Sequence, residues 1–180
     1  WIEPGFTEDT VMRPSPLLRT GFTADKKVRS ARLYITAHGL YEAFINGKRV
    51  GDACLTPGWT SYNKRLQYQA YDVTGLLQTG NNAIGVQLGS GWYRGYLAWR
   101  NTHNIYGKKL GLLAQLQITY TDGSTKTVTS NENWKSSTGA IQYSEIYHGE
   151  INDARKDKPG WSAPGFDDND WSGVQAQEQS

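Results

Sequence analysis

The fold is decided by Tyr34-Ile-Thr-Ala-His-Gly-Leu-Tyr-Glu-Ala-Phe-Ile-Asn-Gly-Lys-Arg-Val-Gly51, a stretch that contains a complete β-hairpin. The Asn46-Gly47 dipeptide lies between two apolar-rich strand patterns and accepts a positive φ at both central positions of a two-residue type I′ turn. We therefore expect residues 43–45 to fold back on residues 48–50. A hairpin of this kind predicts an antiparallel sheet.

Composition favours an all-β protein. The 180 residues include 7 Trp, 11 Tyr, 20 Gly and one Met, a mixture typical of aromatic strands joined by tight turns. This length is enough for one β-sandwich with an ample core. The formal charge of +2 comes from 19 basic and 17 acidic residues, so no clustered basic surface is predicted for nucleic acid. No apolar run approaches the roughly 20 residues of a transmembrane helix, so we expect no membrane partner either.

Further strand and turn signals follow along the chain. Residues 32–37 alternate between polar and apolar side chains, as a half-buried strand does. A short helical turn precedes a buried strand at residues 83–88. Asp122-Gly123, between strand patterns at residues 112–120 and 125–130, is a second hairpin signal. About eight strand candidates without a strong amphipathic helix predict an antiparallel β-sandwich.

Three segments are expected. Residues 1–16 contain Pro4, Pro14 and Pro16 and are predicted to form an extended arm. Residues 17–158 are predicted to form the sandwich. The acidic, turn-rich residues 159–180 are predicted to be a tail or linker toward a following domain. Because the chain opens at Trp1 without an initiator Met, we expect a piece of a longer protein.

Six blocks then appear in a fixed order: Ala31-Arg-Leu-Tyr-Ile-Thr-Ala-His-Gly-Leu-Tyr-Glu-Ala-Phe-Ile-Asn-Gly47, Leu55-Thr-Pro-Gly-Trp-Thr-Ser-Tyr62, Tyr71-Asp-Val-Thr74, Gly80-Asn-Asn-Ala-Ile-Gly-Val86, Leu88-Gly-Ser-Gly-Trp-Tyr93 and Tyr147-His-Gly-Glu-Ile-Asn-Asp-Ala-Arg155. Together they closely resemble the N-terminal domain of bacterial α-L-rhamnosidases, the family 78 glycoside hydrolases. The last block departs mildly from the family pattern, since Asn152 stands where a Tyr is more usual. The resemblance is weakest in the first sixteen and the last fifteen residues.

This resemblance implies a jelly-roll β-sandwich like the galactose-binding domains, preceding an (α/α)₆ barrel that holds the catalytic carboxylates. Nothing here resembles that barrel, so the fragment is expected to be non-catalytic, while the parent chain hydrolyses terminal α-L-rhamnose from glycans. The implied partners are the catalytic barrel of the same parent chain and a rhamnose-containing glycan. An autonomous carbohydrate-binding module and a purely structural sandwich remain as alternatives.

An aromatic loop is the first candidate site. Gly89-Ser-Gly-Trp-Tyr-Arg-Gly95 offers Trp92, Tyr93 and Arg94 in succession, and its glycines allow close backbone approach. Protein sites bind sugars by stacking an aromatic ring on the apolar face of the sugar and reading hydroxyls with polar groups. These residues are predicted to contact a sugar or to pack against a neighbouring domain. Trp59, Tyr96 and Trp99 are weaker candidates for the same role.

A polar group near the end of the predicted sandwich is the second candidate site. Tyr147, Glu150, Asp153 and Arg155 are predicted to contact the barrel or the sugar. Glycoside hydrolysis needs two carboxylates that face each other across the scissile bond. Because Arg155 is close enough in sequence to neutralise either acid, a structural ion pair is the main expectation, and no catalytic residue is predicted.

No cofactor or metal is predicted. His38, His103 and His148 are widely separated and lack the spacing of a zinc site. The single Cys54 excludes an internal disulfide. The compartment stays open, with a periplasmic or secreted location favoured over a cytoplasmic one. The sugar linkage, the stereochemical outcome and the oligomeric state are not indicated by the sequence.

Overall fold

The computed structural model describes residues 1–97 and 102–177. In the described residues, fourteen strands account for most of the regular structure: β1 Ile2–Glu3, β2 Pro16–Ala24, β3 Val28–His38, β4 Leu40–Ile45, β5 Lys48–Arg49, β6 Gln69–Asp72, β7 Gly80–Gly89, β8 Gly111–Tyr120, β9 Thr125–Thr129, β10 Lys135–Thr138, β11 Ile141–Glu145, β12 Gly149–Asn152, β13 Ser172–Gly173 and β14 Gln175–Ala176. One α-helical turn, α1, spans Gly91–Arg94, and 3₁₀ turns span Thr74–Leu76 and Ala154–Lys156. The all-β prediction is confirmed.

The strands form two six-stranded sheets and a separate hairpin. Sheet A has the order β14-β1-β8-β3-β6, with β9 also paired to β8, and sheet B has the order β13-β10-β2-β7-β4-β5. Among the described strands, β11 and β12 pair only with each other. Neighbouring strands in both sheets are antiparallel. This arrangement is the antiparallel jelly-roll β-sandwich expected from the sequence.

The hairpin forms as its turn dipeptide predicts. Asn46 and Gly47 have φ values of 52° and 79°, and Phe44 and Ile45 pair with Arg49 and Lys48. The Asn46 side chain does more than form the turn. Its amide donates to the Leu76 carbonyl at 2.9 Å and to Asn82 Oδ1 at 2.8 Å, while its Oδ1 accepts from the Ala83 N–H at 2.9 Å. The turn is therefore bound to the loop that leads into β7.

The core lies between the inner faces of the sheets. Because successive side chains of a strand point to opposite faces, Leu33 and Ile35 of β3 and Leu116 and Ile118 of β8 point inward from sheet A. Sheet B contributes apolar side chains to the same cluster: Leu18, Ala43, Ile45, Ile84, Val86 and Leu88. Trp134 joins them and is also buried.

Both terminal segments take part in the sandwich, which corrects the predicted division of the chain. Ile2 of the predicted arm pairs with Leu112 and Ala176, and β13 and β14 of the predicted tail pair with β10 and β1. A strand of two residues has too few positions to show alternation, so the sequence pattern gave no signal of these pairings. Residues 178–180 of the predicted tail lie outside the described residues.

Residues 160–171 fold back over the outer face of sheet B. Arg19 of this face donates to the Trp161 carbonyl at 2.7 Å and to the Ala163 carbonyl at 3.2 Å, and it forms an ion pair with Asp168. The Trp161 ring lies edge-on to Phe44, with centroids 5.7 Å apart. These contacts bury Arg19 and turn the predicted tail into a cover for the sheet.

Candidate functional site

The predicted aromatic loop is a single helical turn that begins where β7 ends. Gly91 has a φ of 50°, and the Gly95 N–H donates to the Gly91 carbonyl at 3.1 Å. Because an α-helix advances about 100° per residue, the three consecutive side chains of Trp92, Tyr93 and Arg94 leave the turn in different directions. They consequently have three different environments.

Trp92, which is partly buried, stacks on the exposed Trp59, and we call this pair the tryptophan platform. The two rings are stacked with centroids 5.8 Å apart and an interplanar angle of 6°. Trp59 is 54% exposed, and its Nε1 donates to the Tyr106 hydroxyl at 3.2 Å. The platform presents an apolar aromatic surface to solvent.

Tyr93 lies in a column of stacked rings. His38 stacks on Trp1 at 3.9 Å on one side and on Tyr93 at 4.8 Å on the other, and Tyr62 meets the Tyr93 ring edge-on at 5.3 Å. Burial lowers the pKa of His38 and raises the pKa of Tyr93. Burial also raises the pKa of Tyr62 to about 12. The column holds neutral groups, and it supports the base of the α1 turn.

Arg94, which was predicted to contact a sugar or a neighbouring domain, is enclosed in this domain. It is 1% exposed. Its Nε donates to Ser90 Oγ at 3.1 Å, and its Nη1 donates to Glu8 Oε1 at 2.5 Å and to the Lys108 carbonyl at 3.5 Å. Burial lowers the pKa of Arg94. The guanidinium links the N-terminal segment to the α1 turn. Its pairing with Glu8 compensates the buried charge, which would otherwise be costly.

The second predicted group lies on the β11–β12 hairpin and the 3₁₀ turn that follows. Tyr147 and Glu150 are exposed. Arg155 Nε and Nη2 donate to the two Asp153 carboxylate oxygens at 2.8 and 2.9 Å, which is the ion pair expected from their spacing. These hydrogen bonds from Arg155 lower the pKa of Asp153. Both partners are at the surface, where such a pair adds little stability.

Tyr96 and Glu145 lie between the two predicted groups. The Tyr96 ring packs against His103 at 5.0 Å and His148 at 4.7 Å, and its N–H donates to Glu145 Oε2 at 3.0 Å. Across the described residues, no direct ring contact, hydrogen bond or ion pair joins Trp92 to Tyr147. The two surface groups predicted from the sequence therefore lie on either side of the contact between Tyr96 and Glu145.

The carboxylates do not form an evident hydrolytic pair. Glu145 is buried and accepts a backbone N–H, and Asp153 is neutralised by Arg155. Glu150 lines a cavity of about 300 Å³ together with Glu42, but Arg49 pairs with Glu42 at 3.0 Å. In residues 1–97 and 102–177, no cluster of three His, Cys, Asp or Glu side chains could hold a metal ion.

Sequence reasoning missed the ring column because its members are far apart in the chain. The N-terminus provides Trp1, the end of β3 provides His38, and two loops provide Tyr62 and Tyr106. No local spacing in the sequence therefore marks these residues as neighbours. Trp99, a weaker aromatic candidate, lies outside the described residues. The same described part of the chain contains no helix long and apolar enough to cross a membrane.

The fold is that of an antiparallel jelly-roll domain. The tryptophan platform gives this domain a surface suited to apolar ring contacts. Residues 26–180 match the model of the α-L-rhamnosidase N-terminal domain. An α-L-rhamnosidase of Streptomyces avermitilis is 47% identical over 153 residues, which cover 85% of this chain and 15% of that relative. The chain belongs to the family of α-L-rhamnosidase N-terminal domains.

Solved structures agree with this assignment. The α-L-rhamnosidase of Aspergillus terreus superposes with a TM-score of 0.94 at 47% identity, covering 99% of this chain and 21% of that one. The Streptomyces avermitilis α-L-rhamnosidase, solved in complex with L-rhamnose, gives a TM-score of 0.89 at 44% identity, covering 92% and 16%. The chain thus spans about a fifth or less of these relatives.

Proposed function

We propose that this chain is the non-catalytic accessory domain of an α-L-rhamnosidase and that it packs on a separate catalytic region of the same parent chain. The observation that carries the proposal is the family match over residues 26–180, in a chain that spans only 15% of the Streptomyces avermitilis relative. The carboxylates described above support the non-catalytic role, since each is buried, ion-paired or exposed without an opposing acid.

The tryptophan platform is the proposed contact surface of this domain. Trp59, which stacks on Trp92 at 5.8 Å and is 54% exposed, offers an apolar ring surface that suits either the C–H face of a sugar ring or an apolar side chain of an adjoining domain. Tyr93, whose ring is partly exposed, borders the same turn. In this role the platform extends or completes the pocket for a rhamnose-terminated glycan.

Tyr147, Glu150, Asp153 and Arg155 remain proposed contacts with the catalytic region. Three of them are exposed, and Asp153 is partly exposed, so all are available to a neighbouring surface. Their ion pair would fix the direction of the chain as it leaves the β11–β12 hairpin. A purely structural sandwich is the second candidate function, and the buried contacts of Arg94 and of the ring column favour it.

Calorimetric titration of the chain with L-rhamnose, galactose and pectin-derived oligosaccharides tests the sugar-contact role. We expect millimolar or tighter binding that is lost in Trp92→Ala and kept in Val11→Ala, a control at an exposed residue. Circular dichroism of both variants checks that they fold. Absence of binding in the wild-type chain would leave only the packing role.

Hydrolysis of an aryl α-L-rhamnoside tests the non-catalytic assignment. The 180-residue chain is expected to show no rate above background, while the longer protein that contains it hydrolyses the substrate. A rate in the chain alone that Glu150→Gln abolishes would refute the assignment and would point to the cavity shared with Glu42.

A further inference from the structure

The outer face of sheet A carries a row of polar and aromatic side chains. Tyr34 of β3 pairs with Gln115 of β8, which pairs with Thr129 of β9. Since Leu33, Ile35, Leu116 and their neighbours point into the core, the alternation of a strand puts Tyr34, Gln115 and Gln117 on the opposite side. This is the face that residues 160–171 do not cover.

A groove of about 580 Å³ runs along this face, within the usual range of small-molecule sites. Tyr68 and Leu113 border it and are 65% and 41% exposed. None of the described residues that line it has a charged side chain. Arg32 and Asp72, which lie opposite each other in the register of β3 and β6, line an adjoining, smaller cavity.

Two amide groups of the groove are available to a ligand. Ser130 Oγ already accepts from the Ala114 N–H at 3.0 Å, and Thr36 Oγ1 donates to the Gln67 carbonyl at 2.5 Å. By contrast, the side-chain amides of Gln115 and Gln117 have no hydrogen-bond partner among residues 1–97 and 102–177. Each amide offers both donors and an acceptor, and the two lie about 7 Å apart along the strand.

Two tyrosine rings form an aromatic corner beside these amides. The Tyr34 and Tyr68 centroids are 6.4 Å apart, and the ring planes are inclined by 55°. Rings of this kind bind the C–H face of a sugar, while neighbouring amides bind its hydroxyls. From the absence of charged side chains in its described lining, the free amides and the aromatic corner, we propose that this groove binds a neutral oligosaccharide chain lying across β3 and β8.

The proposed groove is distinct from the tryptophan platform. Trp1 lines the groove and also stacks on His38 in the ring column, so it separates the two surfaces. The inference does not rest on the proposed function, because Tyr34, Tyr68, Gln115 and Gln117 take no part in the α1 turn. Substitutions can therefore remove one surface and leave the other intact.

Amide chemical-shift mapping of the 180-residue chain tests the proposal, with xylohexaose and cellohexaose as neutral probes and trigalacturonate as the charged probe. We expect shifts in β3, β8 and β9 with at least one neutral probe and weaker binding of the charged one. Tyr68→Ala and Gln115→Ala are each expected to weaken binding about tenfold, a change of about 1.4 kcal/mol.

Val11→Ala and Trp92→Ala serve as controls. Val11→Ala, at an exposed site remote in sequence from the groove, should bind the probe as the wild type does. Trp92→Ala should also retain the shifts on β8 and β9, so a loss of binding at the platform alone would leave this proposal standing. The proposal is wrong if neither neutral probe binds at millimolar concentration, or if all shifts surround Trp59 and Trp92.

Hydroxyl-radical footprinting of the longer protein decides between a sugar and a neighbouring domain. If the groove is a sugar site, Tyr68 is oxidised readily in the free protein and is protected when the neutral probe is added. Protection of Tyr68 without any sugar would overturn the proposal, because it would show that another part of the protein covers this face.

Discussion

The outer faces of the two sheets differ although both belong to one sandwich. Sheet B is covered by residues 160–171 of its own chain, whereas the equivalent face of sheet A is open between β6 and β9. On sheet B, the row Arg19, Gly85 and Phe44 contacts the covering segment. On sheet A, the corresponding row lines the open groove and consists of Tyr34, Gln115 and Thr129.

The difference shows how a few side chains decide which face of a sheet is closed. Gly85 has no side chain, and a Cβ there would lie 2.5 Å from the Trp161 ring and 2.7 Å from the Ser162 Cβ. Arg19 supplies several hydrogen-bond donors to the carbonyls of the cover. Sheet A has Gln and Thr at such positions, and these side chains remain solvated without a cover.

Arg19→Met is expected to have the largest effect, because it removes the cation that binds the cover. Loss of one partner of a buried ion pair costs about 3 to 5 kcal/mol. Asp168 keeps Lys135 at 2.9 Å, so we expect about 3 kcal/mol in the free energy of unfolding, measured by urea denaturation. The matched control is Arg32→Met on the exposed face of sheet A, with a change within about 0.5 kcal/mol. Equal losses in the two variants would remove the distinction between the faces.

Gly85→Ala is expected to have the next largest effect. The added Cβ would overlap the Trp161 ring, and overpacking of this kind costs about 1 to 3 kcal/mol. The fluorescence of Trp161 should shift as the cover moves. In the control Gly21→Ala, also in sheet B, the new Cβ would lie 3.8 Å from the Asn82 carbonyl oxygen, an ordinary contact distance, so stability should be nearly unchanged. A neutral Gly85→Ala would mean that the cover is not packed on the sheet.

His38→Gln tests the ring column at the border of the open face. Burial lowers the pKa of His38, so the unfolded chain binds a proton more readily than the folded one, and stability should fall as pH drops through about 6.5. The wild type should lose stability between pH 7.5 and 5.5, and part of this slope should vanish in His38→Gln. Because His38 is partly exposed, the effect should be smaller than either change on sheet B. Identical slopes in the two proteins would contradict the assigned burial.

Gln117→Ala should have the smallest effect on stability. Its side chain is exposed, and no hydrogen bond joins it to another described residue, so the free energy of unfolding should change by less than about 0.5 kcal/mol. Denaturation with urea gives this value directly. A loss above 1 kcal/mol would show that the amide has a structural partner and is not free for a ligand.

Local signals predicted the fold well, because the elements that define it are encoded by neighbouring residues. The Asn46-Gly47 and Asp122-Gly123 turns both form, and the alternation of residues 32–37 places Leu33, Ile35 and Ala37 in the core as predicted. The cover of sheet B was not predicted, since its contacts join residues that are far apart in the chain. The pairing of Arg19 with Asp168 is one example.

The candidate site was predicted less completely for the same reason. Trp92 and Trp59 were both named from the sequence, but their stacking was not, because it depends on how two loops meet. Arg94 follows two aromatic residues in sequence, yet the helical turn directs it inward. The ion pair of Asp153 and Arg155 could be predicted because they lie two positions apart and the turn brings them together.

The pairing of β1 with β14 has a mechanical consequence. Ile2 lies opposite Ala176, and the Gln177 N–H donates to the Trp1 carbonyl at 2.9 Å, so the two ends of the described chain leave the sandwich side by side. A force that pulls these ends apart acts on one hydrogen bond at a time, as in opening a zipper, and does not shear the whole ladder. We expect single-molecule pulling from residues 1 and 177 to detach these edge strands at low force while the β2–β7 and β3–β8 ladders stay intact. Under load the domain can thus release its edge strands β1 and β14 while its core stays folded.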